Sequence, residues 1–224
     1  MDTPLVLHIL SYQHEKLYRL VSKALANYND NSSDAVKEPA KFPISLLVSS
    51  YAFLSRDTVA LSPRFRARMC TIAAKLGDVT ALQWMYDHGC PWDENTCAQA
   101  ARCGNLKVLQ WLKNQGCPWD AVTCFAAASM NHLTVLQWAR SQGCPLDPAT
   151  FIAAAQKGHL EVMRWLRSQG SEWHMLLCLC AAENGHLPVL QWLRSHGCPW
   201  DAMACCSAAE RKGHIHVERW IRDN

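Results

Sequence analysis

No stretch of about 18 apolar residues occurs anywhere in the 224-residue chain, so no segment reads as a helix that crosses a membrane. Charge of either sign is not in excess: 22 Lys and Arg stand against 19 Asp and Glu, a net charge of +3. That is far from the basic bias with which nucleic-acid binders meet phosphate, and no nucleic-acid partner is expected. Neither a glycine-rich phosphate loop nor a spacing of acids and nucleophiles suited to catalysis is present, so no enzyme, catalytic residue or cofactor is expected. No cysteine precedes Cys70. The early apolar run Leu5–Leu10 is short, lacks a basic flank and follows Asp2, so it does not read as a signal peptide.

What the chain has instead is a period. Trp84, Trp111, Trp138, Trp165 and Trp192 recur at a constant step of about 27 residues, within the range of repeat proteins. Gly89, Gly116, Gly143, Gly170 and Gly197 keep that step, and Ala-Ala pairs recur in register at 73, 100, 127, 154, 181 and 208. A period of this size means a solenoid, in which each unit buries its apolar face only on its neighbours. The spacing predicts an all-α fold of about six short helix-turn-helix repeats, at about 67–93, 94–120, 121–147, 148–174, 175–201 and 202–224.

One unit shows the logic. Asp93 is suited to cap a helix over roughly 94–103, because its carboxylate can accept orphan backbone N–H groups; Asp120, Asp147 and Asp201 recur there, and Pro148 occupies a first helical position. Gly104 ends that helix, as Gly77, Gly158, Gly185 and Gly213 do in theirs, in a left-handed turn. A second helix follows, with Leu106, Leu109 and Leu112, plus Val108 and Trp111, on its buried side. Cys117-Pro118-Trp119-Asp120 then turns the chain back. The strict register of the tryptophans reads as core. So does that of the cysteines, in two series: Cys90, Cys117, Cys144 and Cys198, and Cys70, Cys97, Cys124, Cys178 and Cys205. Equivalent cysteines of stacked helices sit roughly 8–10 Å apart, beyond the ~7 Å limit of a disulfide. Reduced thiols in a cytoplasmic or nuclear compartment are expected. Two repeats depart from the pattern: the fourth ends Gly170-Ser171-Glu172-Trp173-His174, and the sixth carries one extra residue before Gly213.

The run from Ala154-Ala155 through Gly158-His159-Leu160-Glu161-Val162, repeated in all units with small changes, resembles the ankyrin repeat. The family's usual unit is about 33 residues, and this one lacks six between the closing glycine and the next Ala-Ala pair, where ankyrins carry a β-hairpin finger. In this it is similar to the short, tryptophan-rich ankyrin variants of algal and giant-virus proteins. The resemblance covers about residues 67–224, and implies a protein-binding scaffold that binds on its concave inner face. On that face it places Asn95, Gln99, Arg102, Val122, Ser129, Gln156, Met175, Leu176, Glu183, Met203, Ser207 and Glu210 as partner-binding residues, apolar towards the C-terminal half.

Residues 1–64 read as a helical N-terminal cap with a polar linker, and 65–224 as the solenoid. Residues 4–25 also resemble a degenerate F-box, which implies an alternative: a substrate adaptor of a cullin ubiquitin ligase. A third reading is a structural subunit of a larger assembly. His174, Cys178 and Cys180 share one turn, yet a zinc site wants four converging ligands, and the cysteine register explains them as core. No metal is expected. His132, His159, His186 and His214 are expected to make hydrogen bonds at the starts of second helices.

Overall fold

In the computed structural model, which describes residues 63–224, five of the six repeat-opening helices start at a capped residue. Asp93, Asp120, Asp147 and Asp201 each accept a backbone N–H of the first turn. His174 stands where the fourth such aspartate is missing, and its Nδ1 accepts the Leu176 N–H at 3.2 Å. The helix start thus survives the loss of the carboxylate.

The twelve described helices fall into six pairs: α1 (Pro63–Leu76) and α2 (Val79–Asp87), α3 (Glu94–Arg102) and α4 (Leu106–Asn114), α5 (Ala121–Ser129) and α6 (Leu133–Ser141), α7 (Pro148–Lys157) and α8 (Leu160–Ser168), α9 (Met175–Glu183) and α10 (Leu187–Ser195), α11 (Ala202–Arg211) and α12 (Ile215–Asp223). No strand occurs among the described residues. The expected N-terminal cap and the F-box-like stretch lie outside them.

Odd-numbered helices pack in a row, each on the next, and each even-numbered helix packs chiefly on its own partner. The Ala-Ala pairs are fully buried; side chains of this size let the first-helix backbones approach closely. The even helices supply the bulk: Leu82, Leu109, Leu112, Leu136, Met163, Leu166, Leu190 and Leu193 have almost no exposure. Each such side chain contributes up to ~1.5–3 kcal/mol by leaving water.

The joints between repeats carry the polar contacts. His132 Nε2 meets the Arg102 carbonyl at 3.1 Å, His159 Nε2 the Ser129 carbonyl at 3.1 Å, and His186 Nε2 the Gln156 carbonyl at 3.0 Å. At the joint before them, Asn105 Nδ2 donates to the Ala74 and Lys75 carbonyls at 2.9 Å. The expected bond at the helix start is therefore replaced by one reaching back a whole repeat; these residues make no side-chain cap bond to their own helix. In the last repeat His216, not His214, makes the reach, with its Nε2 3.2 Å from the Gly185 carbonyl. At Gly104, Gly158 and Gly185 the imidazole of the next repeat lies against the turn itself, where a Cβ would meet the ring. A Cβ on Gly158, whose φ is +75°, would lie 2.6 Å from His186 Nδ1. In the third repeat Asn131 takes the left-handed turn, at φ +62°.

Tryptophans seal the same joints from the loop side, half-buried and not fully buried as the sequence suggested. The loop indole of one repeat meets the second-helix indole of the next edge-on or tilted: Trp92 with Trp111 at 5.9 Å, Trp119 with Trp138 at 5.8 Å, Trp173 with Trp192 at 5.5 Å and Trp200 with Trp220 at 6.3 Å. Over the loop ring lies a cation of the preceding helix: Lys113 over Trp119 at 4.2 Å, Arg167 over Trp173 at 4.4 Å and Arg194 over Trp200 at 4.5 Å.

All cysteines are free, but the two series are not independent. Within a repeat, the first-helix thiol and the loop thiol influence each other: Cys70 with Cys90, Cys97 with Cys117, Cys124 with Cys144 and Cys178 with Cys198. The loop thiols of Cys117, Cys144 and Cys198 donate to the Asp93, Asp120 and His174 carbonyls at 3.6, 3.2 and 3.7 Å. In the pairs 70–90, 124–144 and 178–198 the neighbouring thiol, and then burial, push the first-helix thiol up. The same neighbour holds the loop thiol below its ordinary value, bringing Cys90 to about 7 with help from Arg66 and His88.

Three outcomes follow from these contacts. Gly158→Ala should lower the unfolding temperature more than Gly197→Ala, because both incur the left-handed backbone cost of ~1–2 kcal/mol but only the first displaces an inter-repeat imidazole. Equal losses, read by thermal circular dichroism, would count against the joint. Burial lowers the His159 pKa, so its contribution is fully present above the unfolded value of about 6.5 and lost as pH falls through the lower folded value. His159→Asn, which copies Asn105, should flatten the loss of thermal stability measured between pH 7.5 and 5.5. Under timed iodoacetamide labelling with mass-spectrometric mapping at pH 7.5, Cys90 should react before Cys103 and Cys180, whose thiols burial pushes up.

Candidate interaction surface

The row of first helices presents three columns of side chains, one at the start, one in the middle and one at the end of each helix. At the helix starts the columns stay open. Val122 is 49% exposed, Met175 54%, Leu176 38% and Met203 82%, and Asn95 and Ala149 are exposed as well. Asn95 Nδ2 donates to the Asp93 carboxylate at 3.2 Å, tying it to its own cap.

The middle column is largely consumed by packing. Ala126 and Ala153 are buried, and Gln99 and Cys180 are half-buried. Only Ser207, in the last repeat, is open. Lateral packing of α3, α5, α7 and α9 accounts for this, because the small side chains that let these helices approach leave no surface behind.

The end column is mixed. Arg102, Gln156 and Glu210 are exposed, and Ser129 and Glu183 are half-buried. The backbone carbonyls of Arg102, Ser129 and Gln156 are the acceptors of the histidine bonds across the joints. Ser129 Oγ donates to the Ala126 carbonyl at 2.9 Å, and Glu183 pairs with Lys212 of the next repeat at 3.9 Å. This column therefore serves the stack with its backbone and offers solvent only its side-chain tips.

The helix starts are the open part of the surface, and they turn apolar in the last two repeats. The sequence reading missed Leu76, Tyr86, Met130 and Ile215, also exposed at 43%, 42%, 46% and 64%. Leu76, Tyr86 and Ile215 lie within helices and Met130 just past the end of α5, and the repeat pattern alone does not separate them from their buried neighbours. Among the described residues no group of three or more His, Cys, Asp or Glu side chains converges as metal ligands would, and no helix is long and apolar enough to cross a membrane.

Residues 151–194 match the family model described as ankyrin repeats in many copies. Among solved structures, the crystal structure of the human ASB11 ankyrin repeat domain is similar, with a TM-score of 0.56 at 16% identity, over 69% of this chain and 82% of that one. No curated protein matches the sequence. With helix pairs stacked and no strand among the described residues, an ankyrin-repeat family model matching over residues 151–194 and a solved ankyrin domain of like architecture, the chain has the fold of an ankyrin-repeat domain.

Proposed function

We propose that the chain is a non-catalytic scaffold that holds a protein partner on the first-helix face, the concave one by resemblance to other ankyrin-repeat proteins. The observation that carries this reading is the apolar strip at the starts of α9 and α11, where Met175, Leu176 and Met203 meet solvent inside an otherwise regular array. An exposed strip of this kind commonly marks a partner site. Stacked helices also pre-organise the surface, so little conformational entropy is lost on binding. Asn95, Gln99, Arg102, Val122, Ser129, Gln156, Glu183, Ser207 and Glu210 would frame the contact. The free, largely buried thiols support a reducing compartment, cytosol or nucleus.

A second reading rests on the F-box resemblance of residues 4–25: an adaptor that brings a protein held by the repeats to a cullin ubiquitin ligase. Co-purification of the ligase's adaptor subunit, abolished by deleting residues 1–27, would support it; its absence from the intact chain's complexes would remove it.

For the scaffold reading, Leu176→Asp combined with Met203→Asp should reduce partner capture at least tenfold. Thermal unfolding should stay nearly unchanged, since exposed substitutions generally cost within about ±0.5 kcal/mol. Affinity capture with quantitative mass spectrometry gives the comparison. Undiminished capture by a folded double variant would overturn the proposal.

A further inference from the structure

One joint of the stack lacks its own ring. The loop position that holds Trp92, Trp119, Trp173 and Trp200 elsewhere holds Leu146 between the third and fourth repeats. The cation belonging to that position is still in place. Arg140 is the counterpart of Lys113, Arg167 and Arg194, each of which lies over a loop indole. Its guanidinium donates to the Cys144 carbonyl at 3.3 Å, as Arg167 does to Ser171 and Arg194 to Cys198, both at 2.7 Å.

Beside Leu146 and Arg140 a cavity of about 430 Å³ opens between α7, α9 and the loop before α9. Its apolar lining is Leu146, Phe151, Ile152, Trp173 and Leu177, with Phe151 and Trp173 stacked at 5.8 Å. The size falls in the roughly 300–1,000 Å³ range of ligand pockets. Departures from the repeat gather here. Leu146 replaces tryptophan, Phe151 and Ser171 replace the two cysteines of a thiol pair, Glu172 replaces proline, His174 replaces aspartate and Leu177 replaces threonine. Four of these fall in the one stretch 171–177, and Leu146 and Phe151 face it across the cavity.

We propose that this cavity is a binding site for an aromatic side chain, indole above all, presented by a protein partner and taken beside Arg140 in place of the tryptophan that this joint lacks. The remaining repeats define the occupant, because the loop position elsewhere holds an indole beneath the cation; here the facing aromatic surface is the Phe151–Trp173 stack in place of a second-helix indole. A ring in peptide linkage brings no charged termini to desolvate, whereas a free amino acid brings two, one of them a carboxylate that would face Asp147 and Glu172 in the lining. Only the source of the ring rests on the scaffold reading; the cavity's preference for the ring does not.

The test is a titration of the full chain, labelled at Leu and Ile methyl groups, with N-acetyl-tryptophanamide, N-acetyl-leucinamide and free L-tryptophan. The blocked indole should shift the Leu146, Ile152 and Leu177 methyls saturably, with the leucine amide and the free amino acid binding more weakly. Leu146→Trp should restore the missing ring, raise the unfolding temperature and abolish the shifts. Arg140→Ala should weaken binding about five- to tenfold, the factor a partly covered cation–π contact is worth. Equal response to the leucine amide, tighter binding of free tryptophan, or binding that persists in a folded Leu146→Trp variant would each overturn the proposal. Failure of the Leu176 and Met203 double variant to alter partner capture sinks the scaffold reading and leaves this titration unaffected.

Discussion

The structure depends on contact between neighbours, since no repeat has enough apolar surface to fold alone. Two layers of that contact differ in kind. Alanines and leucines supply non-directional burial. The imidazole and carboxamide bonds across the joints supply direction, because a ring held within hydrogen-bonding distance of one carbonyl fixes how far each unit rotates on the last. Three glycine turns belong to the same device, since a Cβ on Gly104, Gly158 or Gly185 would meet the imidazole; at the third repeat His159 makes its bond past the side chain of Asn131.

Much of this was legible from spacing. The period of the tryptophans, glycines and Ala-Ala pairs located all six helix pairs of the solenoid, and the recurrent aspartates marked the starts of the first helices. What spacing could not reach were contacts that depend on how one turn lies over another. Cys97 sits in a first helix and Cys117 in the closing loop, and nothing in a regular register says that two cysteine series meet. The histidine bonds reach back past a whole unit and look in sequence like ordinary helix starts. Counting positions also cannot measure the closeness of neighbouring first helices, which buries Ala126 and Ala153 between them.

The thiol pairs explain one substitution that sequence alone leaves odd. The fourth repeat loses both members of its pair together, Phe151 standing for one and Ser171 for the other. A bulky ring in a slot shaped for sulfur changes what the adjoining loop can cover, and the stacked Trp173 lies against it. In a repeat protein, information resides in the exceptions. The regular positions build a rod, and the irregular ones decide where something else can attach.

The indole pairs have an optical consequence. Four joints bring two indoles to 5.5–6.3 Å at fixed mutual angles between 54° and 82°, close enough for their transition dipoles to couple. Each such joint is a chiral chromophore of its own, present only while its two repeats are docked. The array therefore carries an intrinsic reporter of docking along its length. Separation of neighbouring units should be visible in the near-ultraviolet circular dichroism before the helices themselves melt.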